Sequence, residues 1–189
     1  MKRLAIFASG SGSNAEQIIN YFHEGEAVRV ELVLCNKPEA FVLNRASRLG
    51  VESHLFDREA FYSSDAIVNI LKQKKIDLVI LAGFLWLIPK NLIDAFPDRI
   101  INIHPALLPK YGGKGMYGAR VHEAVVENAE KESGITIHLV DEVYDNGAIL
   151  GQYKCPVLLS DTAESVAGKI HELEYKYFPK TIEEYLRKI

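Results

Sequence analysis

The stretch Leu4-Ala5-Ile6-Phe7-Ala8-Ser9-Gly10-Ser11-Gly12-Ser13-Asn14-Ala15 decides the fold class. Five consecutive apolar residues are closed at once by glycine and serine, and a segment of helical period follows; this reads as a buried strand feeding a tight loop and a helix. The alternation recurs along the chain. Apolar runs at 28–35, 78–82 and 100–103 end at polar or glycine punctuation, and helical periods fill 15–23, 39–49, 64–74 and 120–128. Continuous apolar strands alternating with helices are the pattern of strands buried on both faces. The expected architecture is therefore α/β: a Rossmann-like, mostly parallel open sheet with helices on both faces. Two later runs, 136–140 and 148–157, have only residues 141–147 between them, too few for a crossover helix, and read as an antiparallel or irregular extension. A last helix is expected to begin near Asp161 with Glu164 as its reciprocal cap partner. It should bury Val166, Ile170, Leu173 and Tyr177 on one face and kink or restart at Pro179.

The 189 residues, with no repeat or linker-like stretch, predict a single domain over 1–189. A net charge of -3, from 25 acidic and 22 basic side chains, is too balanced to coat a polyphosphate, so nucleic acid is not an expected partner. No apolar run approaches the roughly 20 residues of a membrane span, and no leader pattern opens the chain. Cys35 and Cys155 form no CxxC pair and read as buried thiols of a cytoplasmic protein.

Ligands of open α/β sheets bind beyond the carboxyl ends of the strands, and three distinctive segments fall there. The loop 9–15 offers backbone amides and a helix N-terminus to an anion, with phosphate the natural guest; a ligand-free turn is the plainer alternative. It also fits G-x-G-x-x-A, but Cys35-Asn36-Lys37 at the end of the second strand holds no carboxylate for an NAD ribose, though Lys37 leaves NADP open. The run Gly83-Phe84-Leu85-Trp86-Leu87-Ile88-Pro89 either plugs the sheet edge or receives a flat aromatic ligand. The third segment, Asn102-Ile103-His104-Pro105, places an amide and an imidazole two residues apart on a strand, hence on one face. Together they suit a developing oxyanion. A carboxylate that raises the His104 pKa is expected from Asp141, Glu142 or Asp145, among which composition does not choose. The remaining histidines show no metal-ligand spacing; His138 reads as a packing residue and no metal is expected.

Asn102-Ile103-His104-Pro105 with Leu107-Leu108-Pro109, then Asp141-Glu142 and Asp145-x-Gly147, resembles the folate-dependent formyltransferases from the first strand to the last helix. The resemblance implies the formyltransferase fold and transfer of a formyl group from 10-formyltetrahydrofolate, as co-substrate, to the glycine amine of phosphoribosylglycinamide in purine biosynthesis. It implies Asn102, His104 and Asp145 as catalytic residues, with Asp145 raising the His104 pKa and ordering a water. Gly12, Ser13, Asn14 and Glu174 would bind the nucleotide. Arg58, Asn102 and the backbone of Leu85, Trp86, Leu87 and Ile88 would bind the reduced folate. Related enzymes acting on methionyl-tRNA carry an extra domain, for which the expected single domain leaves no length; a monomer or homodimer is expected. Two stretches depart from the family pattern: the glycine-rich 111–118, and Leu85-Trp86, where members often have Met-Arg.

Overall fold

A computed structural model describes residues Met1–Ile189. Its strands are β1 (Lys2–Ala8), β2 (Val28–Cys35), β3 (Glu52–Leu55), β4 (Leu78–Leu81), β5 (Ile100–His104), β6 (Glu132–Leu139) and β7 (Ile149–Pro156). The helices are α1 (Ser13–His23), α2 (Val42–Arg48), α3 (Arg58–Tyr62), α4 (Ala66–Gln73), α5 (Lys90–Ala95), α6 (Ala119–Glu127) and α7 (Ala163–Leu186). Hydrogen bonding orders the strands β3-β2-β1-β4-β5-β6-β7, the mostly parallel sheet that the alternation of apolar runs and helical periods predicts. The chain separates into two compact units, Met1–Ile101 and Asn102–Ile189.

In the first unit β1 pairs in parallel with both β2 and β4, and β2 pairs in parallel with β3. The chain therefore leaves β1 in one direction for β2 and β3 and returns on its other side for β4. That reversal makes the carboxyl end of β1 a topological switch point, the place where such sheets open a crevice. Residues 4–8 are wholly buried, as are Leu32, Leu34, Leu78 and Ile80 on the neighbouring strands. Three elements were not foreseen from sequence. The edge strand β3 reads Glu-Ser-His-Leu with mostly exposed side chains, so no apolar run marks it. The helices α3 and α5 have 5 and 6 residues, too few to establish a helical period.

In the second unit β6 and β7 pair antiparallel, Glu132 opposite Pro156 through His138 opposite Ile149, as the short 141–147 connection requires. The last helix differs from expectation in three ways. Its N-cap is Thr162: the Thr162 hydroxyl accepts from the Ser165 amide at 3.2 Å, and the Ser165 hydroxyl accepts from the Thr162 amide at 3.0 Å. Asp161 and Glu164 are thus not the cap pair; Asp161 stands one residue outside, accepting from the Leu158 amide at 2.7 Å and from Lys169. Helix α7 also runs through Pro179 without restarting. Burial of Phe178, Pro179, Ile182 and Leu186 on the same stripe as Val166 and Ile170 outweighs the hydrogen bond that proline removes. Finally, that stripe advances four residues at a time, so Glu174 and Phe178 lie in it, and Leu173 and Tyr177 flank it half-buried. Cys35 is buried as expected, but Cys155, on the exposed strand β7, is only half-buried; both are free thiols. No helix is long and apolar enough to cross a membrane.

Candidate active site

In the second unit, Asn102 and His104 share one face of β5 and meet the same carboxylate. Asp145 Oδ2 lies 3.5 Å from His104 Nδ1, and Asp145 Oδ1 lies 3.5 Å from Asn102 Nδ2 and 3.6 Å from His138 Nε2. The Gly113 amide donates to Asp145 Oδ2 at 2.9 Å. Of the three acids in the turn, Asp145 is selected by backbone geometry. It adopts a left-handed φ of 54°, and the turn closes so tightly that a Cβ at Gly147 would lie 1.8 Å from the Leu139 carbonyl oxygen. Asp141 is spent instead on the turn itself, accepting from the Val143 amide and the Asn146 side chain, each at 2.8 Å.

The hydrogen bonds fix most of the proton positions. A carbonyl can only accept, so His138 Nδ1 donates to Leu139 O at 2.7 Å, and Nε2 is left to accept from Asn102 Nδ2 at 3.1 Å. By the same logic His104 Nε2 donates to Tyr111 O at 2.7 Å, which turns Nδ1 toward Asp145. His104 is only 4% exposed. Burial holds its pKa below the ordinary histidine value, against the opposing pull of the Asp145 charge and the Tyr111 carbonyl. For Asp145, burial alone would raise the pKa; the neighbouring His138 and His104 rings and the Gly113 amide outweigh it and hold the carboxyl below its usual range. The result is an anionic carboxylate facing two imidazoles and an amide, with the Asn102 and His104 N–H groups on the strand face where charge could develop.

What holds this face in place is Thr136 on β6, which is wholly buried. Its hydroxyl donates to Ala106 O at 2.7 Å and accepts from the Leu108 amide at 3.0 Å and from Gln152 Nε2 at 2.9 Å; Gln152 also donates to Leu108 O at 2.9 Å. The rigid segment after His104 is thereby tied to the neighbouring strand. Thr136 and His138 were not assigned to the site from sequence. Their two-residue spacing inside an apolar run is the same signal that marks Asn102 and His104.

In the first unit, Gly12 caps α1 with a φ of 75° and no side-chain cap, and a Cβ there would sit 2.5 Å from Val42 Cβ. Ser13 and Asn14 open the helix directly beyond the switch point. Glu16 in that first turn would repel an anion, but Arg45 and Arg48 of α2 both pair with it. Arg45 Nε also donates to Ser11 O at 2.9 Å, so that this loop carbonyl is already engaged. The loop is tied to the aromatic run by Ser9 Oγ, which accepts from the Leu85 amide at 3.2 Å.

The run 83–89 is neither strand nor helix. Phe84 packs edge-on against Phe7 at 5.3 Å and Phe61 at 5.5 Å, so this ring does plug the core, whereas Leu85 is 40% exposed and Trp86 and Leu87 are half-buried. Arg58, the first residue of α3, lies over the Trp86 and Tyr62 rings. Glu174 lies in the buried stripe of α7, 6% exposed. Within 111–118, Tyr111 and Gly113 supply the backbone groups that face His104 and Asp145.

Comparison with known proteins places these features in context. A family model described as formyl transferase matches residues 2–182. The chain is 41% identical over 187 residues to a chloroplastic phosphoribosylglycinamide formyltransferase of Arabidopsis thaliana, and spans 64% of that protein's length. It is 36% identical over 191 residues to the phosphoribosylglycinamide formyltransferase of Bacillus subtilis, covering 98% of this chain and 95% of that one. Among solved structures, phosphoribosylglycinamide formyltransferase from Bacillus halodurans superposes with a TM-score of 0.88 at 37% identity, over 98% of this chain and 95% of that one.

Proposed function

The chain belongs to the formyl transferase family, and from that premise we propose that it moves the formyl group of 10-formyltetrahydrofolate to the glycine amine of N1-(5-phosphoribosyl)glycinamide, a step of de novo purine synthesis. Residues 1–189 act as one formyltransferase domain in the cytoplasm, as a monomer or homodimer. The observation that carries this reading is the convergence of Asn102, His104 and His138 on Asp145, an arrangement suited to acyl transfer without a covalent intermediate.

Each residue then has a physical task. The first-turn amides at Gly12, Ser13 and Asn14 take the nucleotide's phosphate, helped by the helix dipole and by Arg45 and Arg48, which neutralise Glu16. Glu174 accepts from the glycinamide. The guanidinium of Arg58 pairs with no carboxylate of the chain and lies beside the aromatic run, which fits a flat ring bearing an anionic tail, with the backbone of 85–88 contributing to the same site; Asn102 is assigned a contact with the same co-substrate. As the amine adds to the formyl carbon, its oxygen gathers negative charge. The Asn102 N–H that reaches Asp145 at a long 3.5 Å is the donor free to turn to that oxygen, and His104 is the second once its Nε2–H leaves the Tyr111 carbonyl. His104 then passes a proton to the departing N10, and the proton lost by the amine is returned to His104 through Asp145 and an ordered water, so that the ring ends in the state in which it began.

The test is a formyl-transfer assay with purified protein and 10-formyltetrahydrofolate, offering phosphoribosylglycinamide and water as competing acceptors. Formylated nucleotide is the expected product. Formate alone would make the protein a hydrolase. No turnover, with thermal protection by NADP and none by a reduced folate, would make it a dinucleotide-binding module.

A further inference from the structure

Arg58 has an unusual seat for an exposed arginine. Its Cζ lies 5.1 Å from the centroid of the Trp86 ring and 5.4 Å from that of Tyr62, and the two rings are inclined by 33° with centroids 5.9 Å apart. No carboxylate of the chain pairs with it. Both rings are themselves held from below. The Tyr62 hydroxyl donates to the Leu87 carbonyl at 3.0 Å, and its ring meets that of Phe61, which is almost wholly buried, at 4.9 Å. Trp86 rests on Phe61 at 5.7 Å and on Phe56 at 6.0 Å.

A guanidinium over an aromatic face spends its π surface on the ring and keeps its N–H edge for a planar anion. Seating it before the ligand arrives also removes part of the entropy that a free arginine side chain would lose on binding. A lysine could share the cation–π contact but not the bidentate edge. From this geometry we infer that Trp86 and Tyr62 are positioning residues: they hold Arg58 ready for a carboxylate of the formyl donor's glutamyl tail, so that tail recognition in this chain runs through an aromatic cradle under one cation. The inference rests on the folate reading above and extends it to the substrate feature that is read. At position 86 a second cation would offer its own donors and repel Arg58, whereas the indole directs tail binding through Arg58 alone.

The test compares 10-formyltetrahydrofolate with the tail-less 10-formyltetrahydropteroate as donors. It uses wild type, Trp86→Leu, Trp86→Phe, Arg58→Met and the double variant Arg58→Met/Trp86→Leu. Trp86→Leu is expected to lower the preference for the glutamyl donor, taken as the ratio of kcat/KM values, about threefold to fivefold, the worth of one exposed cation–π contact. Trp86→Phe should restore most of it, and in the Arg58→Met background the Trp86 change should have no further effect. Equal loss with both donors, or additive losses in the double variant, would overturn the inference. Binding is read independently of turnover. Trp86 is the only tryptophan, so its emission on titration with tetrahydrofolate against tetrahydropteroate reports tail contact directly. Tail-dependent quenching that Arg58→Met abolishes supports the cradle even if the transfer assay finds another acceptor; normal transfer with no tail dependence removes the cradle and leaves the proposed function standing.

Discussion

Replacing Thr136 with valine keeps the shape of the side chain and deletes one oxygen, which isolates what that oxygen does. In the structure it serves three groups: the Ala106 carbonyl at 2.7 Å, the Leu108 amide at 3.0 Å and Gln152 Nε2 at 2.9 Å. Gln152 retains its bond to Leu108 O, but the Ala106 carbonyl and the Leu108 amide are left without that partner, in a place where Thr136, Ala106 and Leu108 are all buried. An orphaned buried donor or acceptor costs about 1–3 kcal/mol, so two cost about 2–6; the added methyl returns roughly 1, and a net loss of about 3 kcal/mol is expected. Urea unfolding followed by circular dichroism measures it, as a shift in midpoint at constant slope. The same bonds set the path of the segment that leads from His104 to Tyr111, whose carbonyl holds His104 Nε2. The formyl-transfer rate of the folded variant should therefore fall by about tenfold or more, with smaller changes in KM. A destabilisation under about 0.5 kcal/mol, or an unchanged turnover number, would refute the view that Thr136 anchors the catalytic segment.

Four further outcomes are expected. Asp145→Asn keeps an acceptor for the Gly113 amide but removes the charge that raises the His104 pKa; the alkaline limb of the pH–rate profile, set by loss of the proton-donating form, should move to lower pH and turnover should fall by orders of magnitude, and an unmoved limb would take Asp145 out of that role. His122 is buried with Nδ1 unpartnered, and burial pushes its pKa down to about 4. The unfolded chain binds that proton near pH 6.5, so stability should drain away as pH falls from about 6.5 toward 4, by about 2 kcal/mol at pH 4.5; His122→Leu should lessen this slope in urea titrations, though His104 contributes in the same direction. Arg45→Met exposes the Glu16 charge beside the loop and frees Ser11 O, so KM for phosphoribosylglycinamide should rise about tenfold with little change for the folate, measured by steady-state kinetics. Gly147→Ala forces a Cβ onto the Leu139 carbonyl and should displace Asp145, giving a folded protein whose turnover resembles that of Asp145→Asn.

The parts of the fold legible in the sequence are those whose burial writes itself into composition. Strands β1, β2 and β4 are buried on both faces and appear as apolar runs; β3 carries Glu52, Ser53 and His54 at an exposed edge and leaves no such trace. The same limit governs the site. The i, i+2 spacing puts Asn102 and His104 on one face of a strand, but what that face meets is decided elsewhere: His138 lies 36 residues from Asn102, and Asp145 lies 43. Nothing local distinguishes Asp145 from Asp141 or Glu142. The choice follows from the close approach of Gly147 to the Leu139 backbone, which depends on β7 folding back along β6, and from the left-handed backbone at Asp145 itself. Residues whose roles depend on their own strand or loop, such as Gly12 or Asn102, can thus be named from sequence. Those that act by completing another residue's hydrogen bonds, such as Thr136, His138 and the Tyr111 carbonyl, become identifiable only when the pairing of the strands is known, and the Thr136 experiment tests that dependence directly.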